Sequence, residues 1–263
     1  MAWFDLGVNL FSSQFDNDHT KLLERAQAAG VGHWLLISSD LTETHSNLAW
    51  CQQQPSCFTT AGVHPHQADL VSEGWQQQLR QLATAPSVVA IGECGLDFNR
   101  NFSSEAGQLL VFAEQLALAK QLQLPVYLHE RDAFTHQYAL LQEHQIQHGI
   151  AHCFTGNTEQ LKAYLDLGLY IGITGWLCDE RRNQELVAAL HYLPLDRICL
   201  ETDAPYLLPR NLSPKPKSRR NEPAYLPAIA EQLAVLKGLP LQQVQKQCWL
   251  NSLQLLNRTG VSL

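Results

Sequence analysis

Residues 87–132 read SVVAIGECGLDFNRNFSSEAGQLLVFAEQLALAKQLQLPVYLHERD. An apolar run rich in β-branched residues starts near Val88 and ends in Gly92-Glu93-Cys94-Gly95-Leu96-Asp97. Ser103-Ser104-Glu105 then signals a helix start, a capping hydroxyl followed by an acidic first turn. Across Glu105–Gln121 the residues Leu109, Phe112, Leu116 and Ala119 recur at helical spacing. A second apolar run starts near Leu124 and ends in His129-Glu130-Arg131-Asp132. Strand, helix and strand in that order predict two parallel strands joined by a crossover.

The pattern repeats in both directions along the chain. Apolar runs begin near Trp3, Val31, Cys57, Val88, Leu124, Gly149, Leu169 and Arg197, about 28 residues apart on average. Amphipathic stretches lie between them, such as Thr158–Leu167 with Leu161, Tyr164 and Leu165. Asn221-Glu222-Pro223 reads as a capping Asn before a first-turn Pro, and Leu239–Asn257 as a last helix. Eight alternations in one domain, residues 1–263, match a (β/α)8 TIM barrel; an open doubly wound sheet is the alternative, because periodicity does not report closure.

Composition narrows the function classes. Hydrophobic residues make up 45% and charged residues 16%, a globular balance. No stretch approaches the roughly 20 apolar residues of a membrane span, and Asp5 interrupts the place where a secretory leader would be apolar. The seven cysteines are odd in number and form no C-x-x-C, so they read as reduced thiols of a cytoplasmic protein. Net charge is -7, yet Arg210, Lys215, Lys217, Arg219 and Arg220 form one acid-free basic segment. No heptad seam is visible, so a monomer is the default expectation.

Functional side chains fall at the predicted strand ends. These are Gly7-Val8-Asn9, His64-Pro65-His66, Glu93, His129-Glu130-Arg131, His152-Cys153 and Glu201-Thr202-Asp203. A barrel gathers such ends at one mouth, where barrel enzymes keep their chemistry. A divalent cation would satisfy Glu93, His129, His152 and Asp203 together. Such an ion activates water, and a carboxylate not fully committed to it can accept the proton. Metal-assisted hydrolysis is the simplest chemistry for this set. Cys94 and Cys153 alternate with Glu93 and His152 and should point away from the site. Glu130 should likewise face away from His129.

The strings GVHPH (62–66), GECGLDF (92–98), HERDAF (129–134), HCFTG (152–156), YIGITG (170–175), ETDAPYLLP (201–209) and RNEP (220–223) together resemble the TatD family of metal-dependent deoxyribonucleases. The resemblance implies a barrel of the amidohydrolase superfamily and a magnesium-supported 3′-to-5′ exonuclease on single-stranded DNA and RNA, linked to DNA repair. By position it makes Glu93, His129 and His152 metal ligands, Asp203 the catalytic aspartate that can also touch metal, and His64 and His66 the substrate side. For such a substrate Arg131 and one or more of His64, His66 and Arg210 are candidates to hold phosphate oxygens, and Trp176 and Tyr206 candidate stacking platforms. Many relatives carry His-x-His where this chain has Gly7 and Asn9. One well-held ion near Glu93, His129 and His152 is therefore expected, Mg²⁺ first, with Mn²⁺ or Zn²⁺ as alternatives suited to imidazole. Two rival functions share these residues: an ester or amide hydrolase on the same scaffold, and a nucleic-acid-binding protein whose metal site has decayed.

Overall fold

The computed structural model describes residues 2–258. Eight strands lie in one sheet in sequence order: β1 (Trp3–Val8), β2 (Val31–Leu36), β3 (Cys57–Ala61), β4 (Val88–Asp97), β5 (Val126–Arg131), β6 (Gly149–Ala151), β7 (Tyr170–Ile173) and β8 (Ile198–Leu200). Helices α1 (His19–Ala28), α2 (Leu41–Cys51), α3 (Trp75–Ala83), α4 (Glu105–Leu122), α5 (Phe134–Glu143), α6 (Thr158–Asp166) and α7 (Gln184–Leu190) connect successive strands. Helices α8 (Leu226–Lys237) and α9 (Leu241–Leu255) follow β8. A doubly wound sheet reverses its strand order at a switch point. Here no reversal occurs, and Val8 of β1 bridges in parallel to Ala204, just beyond β8. That is the topology of a (β/α)8 barrel.

The observed strands start within two residues of every position anticipated from the apolar runs. All ten residues of β4 are buried, as expected of a strand covered on both faces. Ser104 caps α4 as its spacing suggests, its Oγ accepting from Gly107 N at 3.1 Å. The Asn221 cap is corrected. The residue before the short 3₁₀ turn Pro223–Tyr225 is Glu222, and α8 begins only at Leu226. Asn221 is buried and otherwise engaged: its Nδ2 donates to Thr202 O at 2.9 Å and its Oδ1 accepts from Glu222 N.

Packing divides the chain into two units, Met1–Leu35 with Cys153–Lys162 and Tyr170–Leu263, and Leu36–His152 with Ala163–Leu169. The first holds β1, β7, β8 and all of β2 but Leu36, and the second β3 to β6. Within the second unit three buried glutamines secure strand ends. Gln115 of α4 exchanges both amide hydrogen bonds with the backbone of Val63, at 2.8 and 2.9 Å. Gln108 does the same for Asp97, at 2.8 and 3.1 Å. Gln137 of α5 accepts from Leu96 N at 3.2 Å. An unpaired buried backbone group is costly, so these amides complete the ladder where β3 and β4 outrun their neighbours.

Candidate active site

In the second unit, β4 and β5 carry Glu93 and His129 to the same level, and His152 follows β6. Glu93 Oε1 is the hub. It lies 2.9 Å from His129 Nδ1, 3.6 Å from His64 Nε2 and 3.8 Å from His152 Nε2. The carboxylate itself is buried, and its backbone N–H donates to Ser38 O at 3.0 Å. Gly95 permits this level: it has φ +140°, and a Cβ there would overlap the carbonyl oxygen of His129.

The distal nitrogens decide which imidazoles have a lone pair to offer. His129 Nε2 faces Asp97 Oδ2 at 3.3 Å, so a neutral His129 donates there and leaves Nδ1 free to ligate. His152 Nδ1 lies 2.6 Å from the Tyr127 hydroxyl; with its proton on Nδ1, Nε2 is the ligand atom. His64 differs. Its ligand atoms lie within 4.8 Å of those of Glu93 and His129, but its Nδ1 already accepts from His66 N at 3.0 Å. A neutral His64 therefore carries its proton on Nε2 and acts there as a donor. Burial pushes its pKa down to about 3, outweighing the attraction of Glu93, so it is neutral at physiological pH. Glu93 and His129 Nδ1 could hold a divalent cation, and His152 Nε2, 3.8 Å from the same carboxylate oxygen, could join them. Two donors each ~2.1 Å from one ion sit roughly 3 Å apart, and the separations of 2.9 and 3.8 Å are of that order.

Charge in the site follows the same contacts. Burial opposes ionisation of Glu93, but the surrounding imidazoles His64, His129 and His152 hold its carboxyl below the usual carboxylate range. Burial also disfavours a charged His129, yet the Asp97 and Glu93 carboxylates on its two nitrogens push it up to about 9. Metal loading must displace that second proton.

Asp97 is the residue that sequence reading passed over. It is 1% exposed, and its Oδ2 takes His66 Nε2 at 2.7 Å as well as His129 Nε2. Its Oδ1 accepts from the N–H groups of Asn99 and Arg100. Such outer carboxylates fix ligand tautomer and orientation, and their loss costs about 10–100-fold in metal affinity. Asp97→Ala should therefore weaken Mn²⁺ binding, measured calorimetrically, by about that factor. Asp97→Asn, which keeps an acceptor oxygen, should fall between. Unchanged affinity in the alanine variant would show that Asp97 does not orient His129.

Arg131, exposed at the end of β5, shares a strand face with His129 by the two-residue alternation. Glu130 turns elsewhere, as expected, and accepts from Ala133 N at 2.8 Å. Cys94 is buried with its thiol near the carbonyl oxygens of Ile91 and Tyr127, whereas Cys153, expected to point away from the site residues, is half-buried beside Thr174 with its Sγ within 4.8 Å of an Asp203 carboxylate oxygen.

The first unit holds Asp203. It follows β8 with φ +55°, a strained conformation for a non-glycine residue. Its N–H donates to Gly7 O at 2.9 Å, and its Oδ1 accepts from Asn9 Nδ2 at 3.0 Å. Asn9 thus serves to aim Asp203. Beneath it Asp5 is wholly buried; Oδ1 accepts from Thr202 N at 2.8 Å, and Oδ2 lies 2.6 Å from Thr202 Oγ1. Burial raises Asp5 from 3.8 to about 7 despite these hydrogen bonds. Between those values the native state keeps a proton that the unfolded chain has released, so stability falls as pH rises. The loss is about 1.4 kcal/mol per pH unit, or ~4 kcal/mol across the window. Asp5→Asn mimics the protonated form. Urea unfolding of the metal-free protein at pH 4 and pH 7 should show this slope in the wild type and its disappearance in the variant.

The basic side chains of the first unit are partly committed. Asp179 is shared by Arg181, Arg182 and Arg210, at 2.6, 3.0 and 3.5 Å, which leaves that cluster net positive. Arg220 pairs with Asp18 and Glu222, whereas Lys215, Lys217 and Arg219 are exposed. Trp176 is capped by the Arg182 guanidinium at 3.8 Å, and Tyr206 is exposed. Glu201, fully buried, accepts from Cys153 N at 2.8 Å. No helix among the described residues is long and apolar enough to cross a membrane.

Residues 4–257 match the family model described as TatD related DNase. The chain is 51% identical over 237 residues to the 3′-5′ ssDNA/RNA exonuclease TatD of Cronobacter sakazakii, covering 89% of this chain and 90% of that protein. It is 48% identical over 257 residues to the protein of the same name from Erwinia tasmaniensis, covering 97% and 99%. Among solved structures, a TatD family hydrolase from Entamoeba histolytica superposes with a TM-score of 0.89 at 28% identity, covering 98% of this chain and 100% of that one. The TatD homologue YJJV of Escherichia coli K12 does so with 0.88 at 28%, covering 97% and 98%. The motifs, the strand order and these likenesses agree, and the chain belongs to the family of TatD-related DNases.

Proposed function

We propose that this nuclease removes nucleotides from the 3′ end of single-stranded DNA and RNA by divalent-metal-assisted hydrolysis, as a single-domain monomer in the cytoplasm serving DNA repair. The observation that carries the chemistry is the donor set of Glu93, His129 Nδ1 and His152 Nε2, whose distal nitrogens are already engaged. The substrate comes from relatives of about half-identical sequence whose names specify it. Mg²⁺ is the working ion and Mn²⁺ the second choice, since imidazole nitrogens suit manganese better.

When bound, the ion supplies Lewis acidity at the phosphate and lowers the pKa of water. The chain's own groups do the rest. Asp203 follows β8. It takes the proton of the attacking water, aimed by Asn9. His64 Nε2–H and the Arg131 guanidinium hold phosphate oxygens, the latter with its planar fork. Lys215, Lys217 and Arg219, with the net positive Arg210 cluster, draw in the strand. An end whose last nucleotides are already unpaired avoids the few kcal/mol that unpairing a duplex costs.

The test is a time course on a 5′-labelled single-stranded oligonucleotide with Mg²⁺, with Mn²⁺ and with chelator. A ladder shortening from the 3′ end, absent with chelator, is expected. An intact oligonucleotide from folded, metal-loaded protein would overturn the reading in favour of an ester or amide substrate or a binding role. Early internal cuts would overturn the exonuclease assignment.

A further inference from the structure

Phe102 stands out in the second unit as a large apolar side chain 70% exposed on a loop that is otherwise tied down. Scattered exposed aliphatic residues are ordinary, but an aromatic ring on a fixed support is a ready contact surface. The support is extensive. Asn99 N and Arg100 N donate to Asp97 Oδ1 at 3.1 and 2.9 Å, and Asn101 Nδ2 donates to Phe98 O at 3.0 Å. Ser103 Oγ donates to His66 O at 2.9 Å, and Ser104 donates to the Asp69 carboxylate through both N and Oγ.

The ring also connects with the site. His66 meets it edge-on, with centroids 4.8 Å apart, and His66 in turn lies 6.1 Å from His129. A flat group resting on Phe102 is thus about a nucleotide or two from the proposed reacting phosphate. His66 covers only part of the ring. Trp176, by contrast, is occupied by Arg182.

We propose that Phe102 is a stacking platform for an unpaired nucleobase near the 3′ end of the strand, with His66 as its backing. This rests on the nuclease reading above. An aromatic face accepts any base, so the platform grips bases without choosing among them and favours ends that are not paired. It deepens the preference for single strands, because a paired base has no free face to offer.

The experiment pairs a protein change with a substrate change. KM is measured for wild type, Phe102→Ala and Phe102→Trp on oligonucleotides carrying one abasic residue at each of the last positions before the 3′ end. Mn²⁺ affinity is measured for each protein. Phe102→Ala should raise KM by between about 5-fold and 100-fold, and Phe102→Trp should restore it. Wild type should suffer a similar rise on the substrate abasic at one position, where Phe102→Ala loses nothing further. Mn²⁺ affinity should be equal in all three. Equal abasic penalties in wild type and Phe102→Ala, failure of Phe102→Trp to rescue, or a parallel loss of Mn²⁺ affinity would each overturn the platform alone. A folded wild type inert on every oligonucleotide would overturn the nuclease reading, and the platform with it.

Discussion

Glu93→Gln is expected to abolish divalent-metal binding and to lower nuclease turnover by on the order of 10³-fold or more, ~4 kcal/mol of barrier. Glu93 Oε1 is the point on which His129, His152 and His64 converge. Glutamine keeps the shape, and the backbone hydrogen bond from residue 93 to Ser38 O is untouched, so the fold should survive. What disappears is the one negative charge at the centre of the donor set. The carboxamide is a weak neutral ligand, and its amino group would face an imidazole nitrogen that must itself ligate. Titration calorimetry with Mn²⁺ and circular dichroism separate loss of metal from loss of fold. Wild-type affinity in a folded variant would place the ion elsewhere.

Asp203→Asn is expected to lower turnover by about 10²–10⁴-fold, the range for removing a positioned general base, while the metal stays bound. The amide cannot take a proton from water. Its geometry should hold, because the carboxamide oxygen of the variant side chain can still accept from Asn9 Nδ2 and the backbone bond to Gly7 O is unaffected. Single-turnover rates with saturating Mn²⁺, alongside Mn²⁺ affinity, measure the two effects separately. Turnover within a few-fold of wild type would remove Asp203 from the proton transfer. Asn9→Ala offers a graded companion, removing one hydrogen bond to the carboxylate without deleting it.

The barrel is legible in the sequence because its signal is periodic, and the meeting of Glu93 with His129 because each ends a local apolar run. A buried parallel strand is a run of apolar residues, and each run from Trp3 to Arg197 marks its strand to within two residues. Glu93, His129 and His152 stand out because a polar residue ending such a run is costly without a purpose. The residues that escape act through partners distant in sequence. Asp97 sits in the same string as Glu93, but its meaning comes from His66 and His129, which lie 31 and 32 positions away. Asn9 reads as a lost ligand, and its partner is 194 residues away. Asn221 reads as a cap until Thr202 is placed beside it, and Tyr127 carries no signal of its own until His152 is. The choice between His64 as ligand and as donor turns on a single backbone N–H, which no sequence pattern announces.

The three glutamines of α4 and α5 carry one further consequence. Backbone amides at the ends of strands ordinarily exchange with solvent deuterons far faster than those in the middle, because fraying opens them first. Here the N–H groups of Val63, Leu96 and Asp97 are gripped by buried side-chain amides of the outer helix layer. Opening them requires α4 or α5 to lift from the sheet. The rim that carries His64 and Glu93 is thus coupled to the cooperative unfolding of the body, and its amides belong with the slowest class. Loop segments can vary around such a rim without loosening it, because what holds the strand ends lies in the helix layer behind them.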